Sequence, residues 1–226
     1  MESLLFHGSD KIVETPTKEG GKVHNDYGQG FYCTPDIELA REWACTKASA
    51  AFVNHYSFEP GFELKVCDLS KPPFHVLNWL AVLMDNRVFD TRLPFPREMK
   101  QYVIQEFLPD LSGYDIIRGY RADDSYYDIA QSFLAGSISL EWLDRALRLG
   151  KLGEQVFLSS HLAFEALCFT SAEAVDKAVY YPRRLLRDRL AREFFRTIKG
   201  RGMSSDGILA IDIFRQKWKN DDPRLR

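Results

Sequence analysis

The sequence predicts an α+β fold, and three observations point to it. Short apolar or β-branched runs bounded by glycine, such as Leu4 to His7 and Gln155 to Leu158, read as strands. Stretches with apolar residues every three or four positions, such as Leu140 to Leu149, read as amphipathic helices. Strands and helices mix up to about residue 175, and the chain beyond reads as helical only, so residues 1–175 form one predicted domain and 176–226 a helical extension.

At 226 residues, with 45% hydrophobic and 27% charged residues, the chain is large enough for a sizeable core and is not a disordered one. Its net charge of -2 argues against a protein that coats nucleic acid over its whole surface, though a local basic patch is compatible with it. The longest apolar stretch, Val76 to Met84, contains Asn78 and is too short to span a bilayer. Glu2 and the early stop of the first apolar run at His7 do not fit a signal peptide. Cys33, Cys45, Cys67 and Cys168 form no C-x-x-C pair and no metal-ligand spacing, so a reduced, cytoplasmic protein without a metal is expected.

Leu4 to His7 starts the order as a strand, and residues 10–30, rich in Gly, Lys, Thr, Asp and Asn, form a loop. Gly30 to Cys33 reads as a second strand. Thr34-Pro35-Asp36 reads as a helix start, with Thr34 as cap and Pro35 in the first helical position, ahead of Ile37, Ala40, Ala44, Ala48 and Ala51. Residues 55–68, broken at Pro60-Gly61, suggest a hairpin. Helices are expected over Leu77 to Asp85 and Glu98 to Leu108, joined by a connector holding Pro94 and Pro96. A strand follows at Tyr114 to Tyr120, then helices at Asp124 to Leu134 and Leu140 to Leu149, the latter capped by Ser139 and closed by Gly150. Gln155 to Leu158 is the next strand, then a short helix and a last strand near Leu167 to Phe169. Pro182 to Arg201 carries eight Lys or Arg against two acids and reads as a basic helix with an apolar stripe of Leu185, Leu186, Leu190, Phe194 and Phe195. Ile208 to Trp218 is a further helix, capped by Ser205 or Asp206.

Three elements carry chemistry: Phe6-His7-Gly8-Ser9, a histidine at a strand end; Gly28-Gln29-Gly30-Phe31-Tyr32-Cys33-Thr34, a glycine loop entering a strand; and Glu154-Gln155-Val156, an acid heading a strand. Each alone has an ordinary structural reading as a turn, a loop or an edge charge, and neither a Rossmann fingerprint nor a P-loop is present. In this order they resemble the ADP-ribosyltransferase superfamily, in its His-Tyr-Glu branch of diphtheria-toxin and poly(ADP-ribose)-polymerase type. That branch has His-Gly-Ser/Thr in its first core strand, Gly-Φ-Tyr-x-Ala/Thr in a later one, and a second aromatic eleven residues after the tyrosine. Here the tyrosine is Tyr32 and eleven residues on stands Trp43. The chain is similar in more detail to a group of bacterial ADP-ribosyltransferase-like domains of unknown function that share the stretch from Gly28 to Ala44 and a segment like Arg121 to Tyr127. The likeness spans roughly residues 4–175.

The resemblance implies two small sheets with a cleft for NAD between them. It implies mono-ADP-ribosyl transfer from NAD, used as substrate, to a protein or nucleic-acid acceptor, in a setting such as a bacterial toxin or anti-phage effector held by an inhibitory antitoxin. His7, Tyr32 and Glu154 would be its catalytic signature. His7, Gly8, Ser9, Gly30, Tyr32, Thr34 and Trp43 would hold NAD, with Tyr32 and Trp43 sandwiching the nicotinamide and Gly8 permitting its close approach. A carboxylate beside the ribose can stabilise the oxocarbenium-like state formed as the nicotinamide leaves. Either Glu154 or Gln155 can occupy that place; a glutamine would weaken transfer. Water as acceptor would make the protein an NAD glycohydrolase, and loss of catalysis would leave an NAD- or partner-binding pseudoenzyme. Ala40, three residues before Trp43, leans away from polymerases.

Arg121, Asp123 and Asp124 are candidates for acceptor positioning, with helix capping the ordinary alternative for the aspartates. The basic helix can be a solvated face, a phosphate-contacting element or a docking site for an inhibitor.

Overall fold

The computed structural model describes residues 3–48, 50–59, 63–88, 94–122, 124–149, 153–201 and 207–225. The elements run β1 (Ser3–Ser9), β2 (Phe31–Cys33), α1 (Ile37–Ala44), β3 (Phe52–Phe58), β4 (Val66–Asp68), α2 (Val76–Asn86), α3 (Pro94–Phe107), β5 (Ile116–Tyr120), α4 (Asp124–Leu134), α5 (Leu140–Leu149), β6 (Glu154–Leu158), α6 (His161–Glu165), β7 (Leu167–Ala174), α7 (Lys177–Arg201) and α8 (Ala210–Arg215). The fold is α+β, as the alternating patterns require.

The strands form two sheets. One is antiparallel throughout, in the order β1-β3-β7. The other runs β2-β6-β5-β4, with β6 antiparallel to both neighbours and β4 parallel to β5. They meet where Phe6 and Thr34 exchange backbone hydrogen bonds of 2.8 and 2.9 Å.

Strand alternation then sorts the core. Leu5, Tyr56 and Leu167 of the first sheet pack with Phe31, Cys33, Ile116, Val156 and Leu158 of the second, so these are the facing sides. On the reverse of the second sheet, Tyr32, Ile117 and Phe157 join the largest cluster, built with α2, α3, α4 and α5. On the reverse of the first, Phe6 and Val53 pack against Ala40 of α1. Helix α2 is buried on nearly every side, which explains its apolar sequence. Its Asn78 is satisfied there, donating to the Phe107 carbonyl at 2.8 Å and to Asn220 at 2.6 Å. Among the described residues no helix is long and apolar enough to cross a membrane. Ala191, Ala210, Ile213 and Trp218 share the largest cluster, so the C-terminal helices pack into the same core as α2 to α5.

Several sequence expectations are corrected. Residues 55–68 are no hairpin: β3 is already flanked by β1 and β7, and β4 lies in the other sheet beside β5. Pro60 and Gly61 lie outside the described residues, as do Gly150, Ser205 and Asp206. The cap of α1 is Asp36, which accepts from the Glu38 and Leu39 amides at 2.9 and 3.2 Å; Thr34 is instead consumed by the inter-sheet bridge, and Pro35 precedes the cap. Helix α1 stops at Ala44, short of Ala48 and Ala51, because α7 caps its end: Arg184 donates to the Cys45 carbonyl at 2.7 Å. Pro94 and Pro96 sit in the first turn of α3, not in a connector.

Of the apolar stripe expected on the basic helix, Phe194 packs against the largest cluster but the three leucines do not lie on the buried side. Leu185, Leu186 and Leu190 are 50, 43 and 54% exposed. The inward stripe is Tyr180, Arg184, Arg187, Ala191 and Phe194, because α1 offers acceptors rather than an apolar face. Arg187 grips the buried Glu42 with two bonds of 2.6 and 2.8 Å, and Arg183 and Tyr180 reach Glu38. The side chain of Phe195 lies outside the described residues.

A Cβ at residue 8 would stand 2.0 Å from the Ala40 carbonyl oxygen and 2.6 Å from the Ala44 nitrogen, so glycine there lets α1 lie against β1. Gly8→Ala is therefore expected to cost about 3 kcal/mol through forced separation of α1 from the sheet, read as a loss in denaturant midpoint. Glu42→Ala leaves the Arg187 guanidinium without its carboxylate in a half-buried place, an expected cost of about 2 kcal/mol in the same measurement.

Candidate functional site

The junction of the two sheets gathers most of the signature residues, but on different faces. His7 on β1 turns toward the space between the sheets. Its Nδ1 donates to the Tyr32 carbonyl at 2.7 Å, and its ring lies on Phe31 with centroids 4.4 Å apart. That bond leaves Nε2 as the other ring atom for a ligand. Burial holds the His7 imidazole below its ordinary value, so it is neutral in the fold. Ser9 accepts from Asn54 at 3.1 Å and donates to the Lys11 carbonyl at 2.5 Å, tying down the loop after β1.

Tyr32 enters β2 with its ring on the opposite face. It packs on Phe157, with Tyr27 beyond, and is 8% exposed. Its hydroxyl donates to the Gly28 carbonyl at 2.6 Å and accepts from the Tyr27 amide at 3.1 Å. Burial pushes this phenol well above its ordinary range. Tyr32 thus closes the loop that leads into its own strand. Gly28 supplies the positive φ, 90°, of that turn. Gly30 admits the Phe157 ring and the Leu158 carbonyl at distances no Cβ could share.

Trp43 does not face Tyr32 across an open slot. It lines a groove of about 640 Å³ between α1 and α7, with the Arg121 guanidinium 4.7 Å from its ring centre. Its indole N–H is buried without a hydrogen-bond partner among the described residues. The sandwich expected from the eleven-residue spacing is not formed, because the ring of Tyr32 is already packed between its core neighbours.

Glu154 and Gln155 head β6 and, by strand alternation, point to opposite faces. Glu154 shares the side of Val156 and Leu158, the inter-sheet side on which His7 stands, and is ion-paired with Arg118 of β5. Gln155 shares the side of Phe157 and Tyr32. It is 4% exposed and its Oε1 has no partner among the described residues. Asp123 lies outside the described residues, and of Asp124 only its place at the start of α4 is described.

Other residues shape the region without a sequence signal. Asp26, 2% exposed, meets Arg87 Nε at 2.7 Å and accepts from the Ala122 amide at 2.9 Å. It thereby ties the glycine loop to the turn carrying Arg121. Tyr27 donates to the Tyr120 carbonyl at 2.6 Å and accepts from Trp79 at 3.1 Å. Nothing short of the strand pairing Tyr120 with Glu154 would have identified Arg118 as the acid's partner. A larger hollow of about 810 Å³ opens among Lys18, Gly28, Asp85, Asp110, Ser112 and Ser160, and none of His7, Trp43 or Glu154 lines it. Among the described residues no three His, Cys, Asp or Glu side chains form a metal-binding group.

The family model described as "Protein of unknown function (DUF3990)" matches residues 3–169. The chain belongs to this family. The match covers β1 to β6 and every signature residue, and it ends inside β7, so α7 and α8 of this DUF3990 member lie beyond it. The chain matches no curated protein and no solved structure.

Two outcomes follow for the junction. Tyr32→Phe strands a buried carbonyl and a buried amide, and a stability loss of about 2 kcal/mol is expected on chemical unfolding. The unfolded chain protonates His7 near its ordinary value of 6.5, whereas the fold resists that proton. The stabilisation from neutral His7 is therefore complete above that pH and is lost as pH falls below it. His7→Asn, which keeps a donor near Nδ1, is expected to melt with a smaller drop between pH 7.5 and about pH 5 than the native chain.

Proposed function

We propose that the protein binds NAD as a substrate and transfers its ADP-ribose to a macromolecular acceptor. The observation that carries this reading is that His7, from one sheet, and Glu154, from the other, stand on the facing sides of the split, next to the point where the sheets join. An imidazole with one nitrogen fixed on the Tyr32 carbonyl can present the other to a ribose hydroxyl. Glu154, held by Arg118, can stand beside the second ribose. As the bond between nicotinamide and ribose breaks, nicotinamide leaves with the bonding pair and positive charge spreads over the ribose carbon and ring oxygen. The carboxylate lowers the energy of that state, and a nucleophile of the acceptor then forms the new bond to the same carbon and gives up its proton. Gly8 contributes through its backbone, since its missing side chain is explained by α1.

A second reading has its own support. The residue on the Tyr32 face is Gln155, uncharged and with an amide oxygen lacking a partner, while Glu154 is neutralised by Arg118. If the ligand meets that face, the protein holds NAD without turning it over.

Purified protein would be incubated with NAD labelled in the adenylate part, alone and with separate protein, RNA and DNA pools. The transfer reading expects label on one pool, nicotinamide release, and a fall of about 100-fold or more in Glu154→Gln with Gln155→Ala closer to native. Release without labelled pools makes water the acceptor and overturns transfer. Saturable NAD binding with no release, abolished by Gln155→Ala, establishes the second reading instead.

A further inference from the structure

Helix α7 packs against α1, α4 and α5. Along it lie two hollows, of about 640 and about 480 Å³, with Arg192 as a common wall. Among the described residues six cations line them: Lys47, Arg121, Arg184, Arg187 and Arg192, with Arg87 at the far end. The acids in the walls among the described residues are Glu42, Asp188 and Asp128. Glu42 holds Arg187, Asp188 holds Arg192, and Asp26, behind the wall, holds Arg87. Arg184 is hydrogen-bonded to the uncharged Cys45 carbonyl, so its charge has no counter-ion in that bond, and Lys47 is exposed. Among the described residues positive charge is thus in excess here, on a chain whose net charge is -2, and Lys47 and Arg184 carry it beside Trp43.

Aromatic rings interleave with these cations. Trp43 and Tyr181 line the first hollow and Tyr127 the second. Trp43 is paired face-on with Arg121, and both the ring and the guanidinium plane are stacking surfaces for a base. A duplex keeps its bases inside and would offer a recessed indole nothing to stack on. An acidic protein segment would meet the charge but leave the ring platform unused. Arg121 also directly follows Tyr120, the residue paired with Glu154 across β5 and β6. The backbone of Arg121 is therefore next to the head of β6, while Glu154 itself does not line the groove.

We propose that this groove binds single-stranded nucleic acid, with phosphates on Lys47 and Arg184 and an unpaired base on the Trp43–Arg121 pair, and that this strand is the acceptor. The acceptor role rests on the transfer reading; the binding site does not.

The test is fluorescence anisotropy of the full chain with labelled DNA and RNA single strands of about 12 nucleotides, matched duplex DNA and polyglutamate, over about 50–200 mM salt. Binding of one or both single strands is expected, with log K falling by about 0.7 per contacted phosphate for each tenfold rise in salt. Lys47→Glu is expected to weaken binding about tenfold and to reduce the salt slope by about 0.7. Trp43→Leu is expected to weaken it about tenfold at unchanged slope. Melting curves of both variants establish that they are folded, and the Lys47→Glu chain should titrate with NAD as the native chain does. No binding of single strands at the lowest salt overturns the proposal, as does tighter binding of duplex or polyglutamate, or binding indifferent to Lys47→Glu. Strands that bind as expected while no nicotinamide is released keep the groove and sink the transfer reading. Transfer to a protein pool with no strand binding does the reverse.

Discussion

Phe6 and Thr34 exchange two backbone hydrogen bonds, and the rest of the structure is arranged around that contact. It sets β1 beside the end of β2 and lets the two sheets diverge from there, so their facing sides enclose one core cluster while each reverse side takes its own helices. His7 is the next residue after Phe6, and its bond to the Tyr32 carbonyl extends the same contact by one side chain. Gly8 follows, and α1 closes over it. Three consecutive residues thereby fix a sheet junction, an imidazole and a helix position, which leaves little room to alter one without the others.

The second constraint is electrostatic. Helix α1 turns Glu38 and Glu42 toward α7, and a carboxylate as buried as that of Glu42 needs a partner with matched geometry. The bidentate guanidinium of Arg187 provides it. This is why α7 docks with Arg184 and Arg187 inward beside Ala191 and Phe194, and leaves Leu185, Leu186 and Leu190 in solvent. The same docking builds one wall of the groove around Trp43, so Arg187, which anchors α7, also lines the groove together with Lys47 and Arg121 from outside the helix.

The existence and order of the strands and helices were legible in the sequence because each follows a local period: α4 and α5 occupy the stretches their apolar spacing indicates. The signature residues could also be found, since their spacing is a one-dimensional property. Their orientation could not. Tyr32 and Trp43 lie eleven residues apart in the chain, but whether their rings face each other depends on Phe157 and Tyr27, which arrive from elsewhere and occupy the face of Tyr32. The choice between Glu154 and Gln155 depends likewise on which side of β6 meets the other sheet.

The sequence by itself determined the α+β class, the main elements, the histidine-glycine strand end and the glycine loop entering Tyr32, because local propensity and periodicity act over a few residues. Only the tertiary structure decided that residues 55–68 divide between two sheets, that α1 ends at Ala44 under Arg184, and that α7 turns Arg184 and Arg187 toward α1. Each of those outcomes is a competition among groups distant in the chain for the same strand edge, carbonyl or carboxylate. Such a competition has no signature in any single segment.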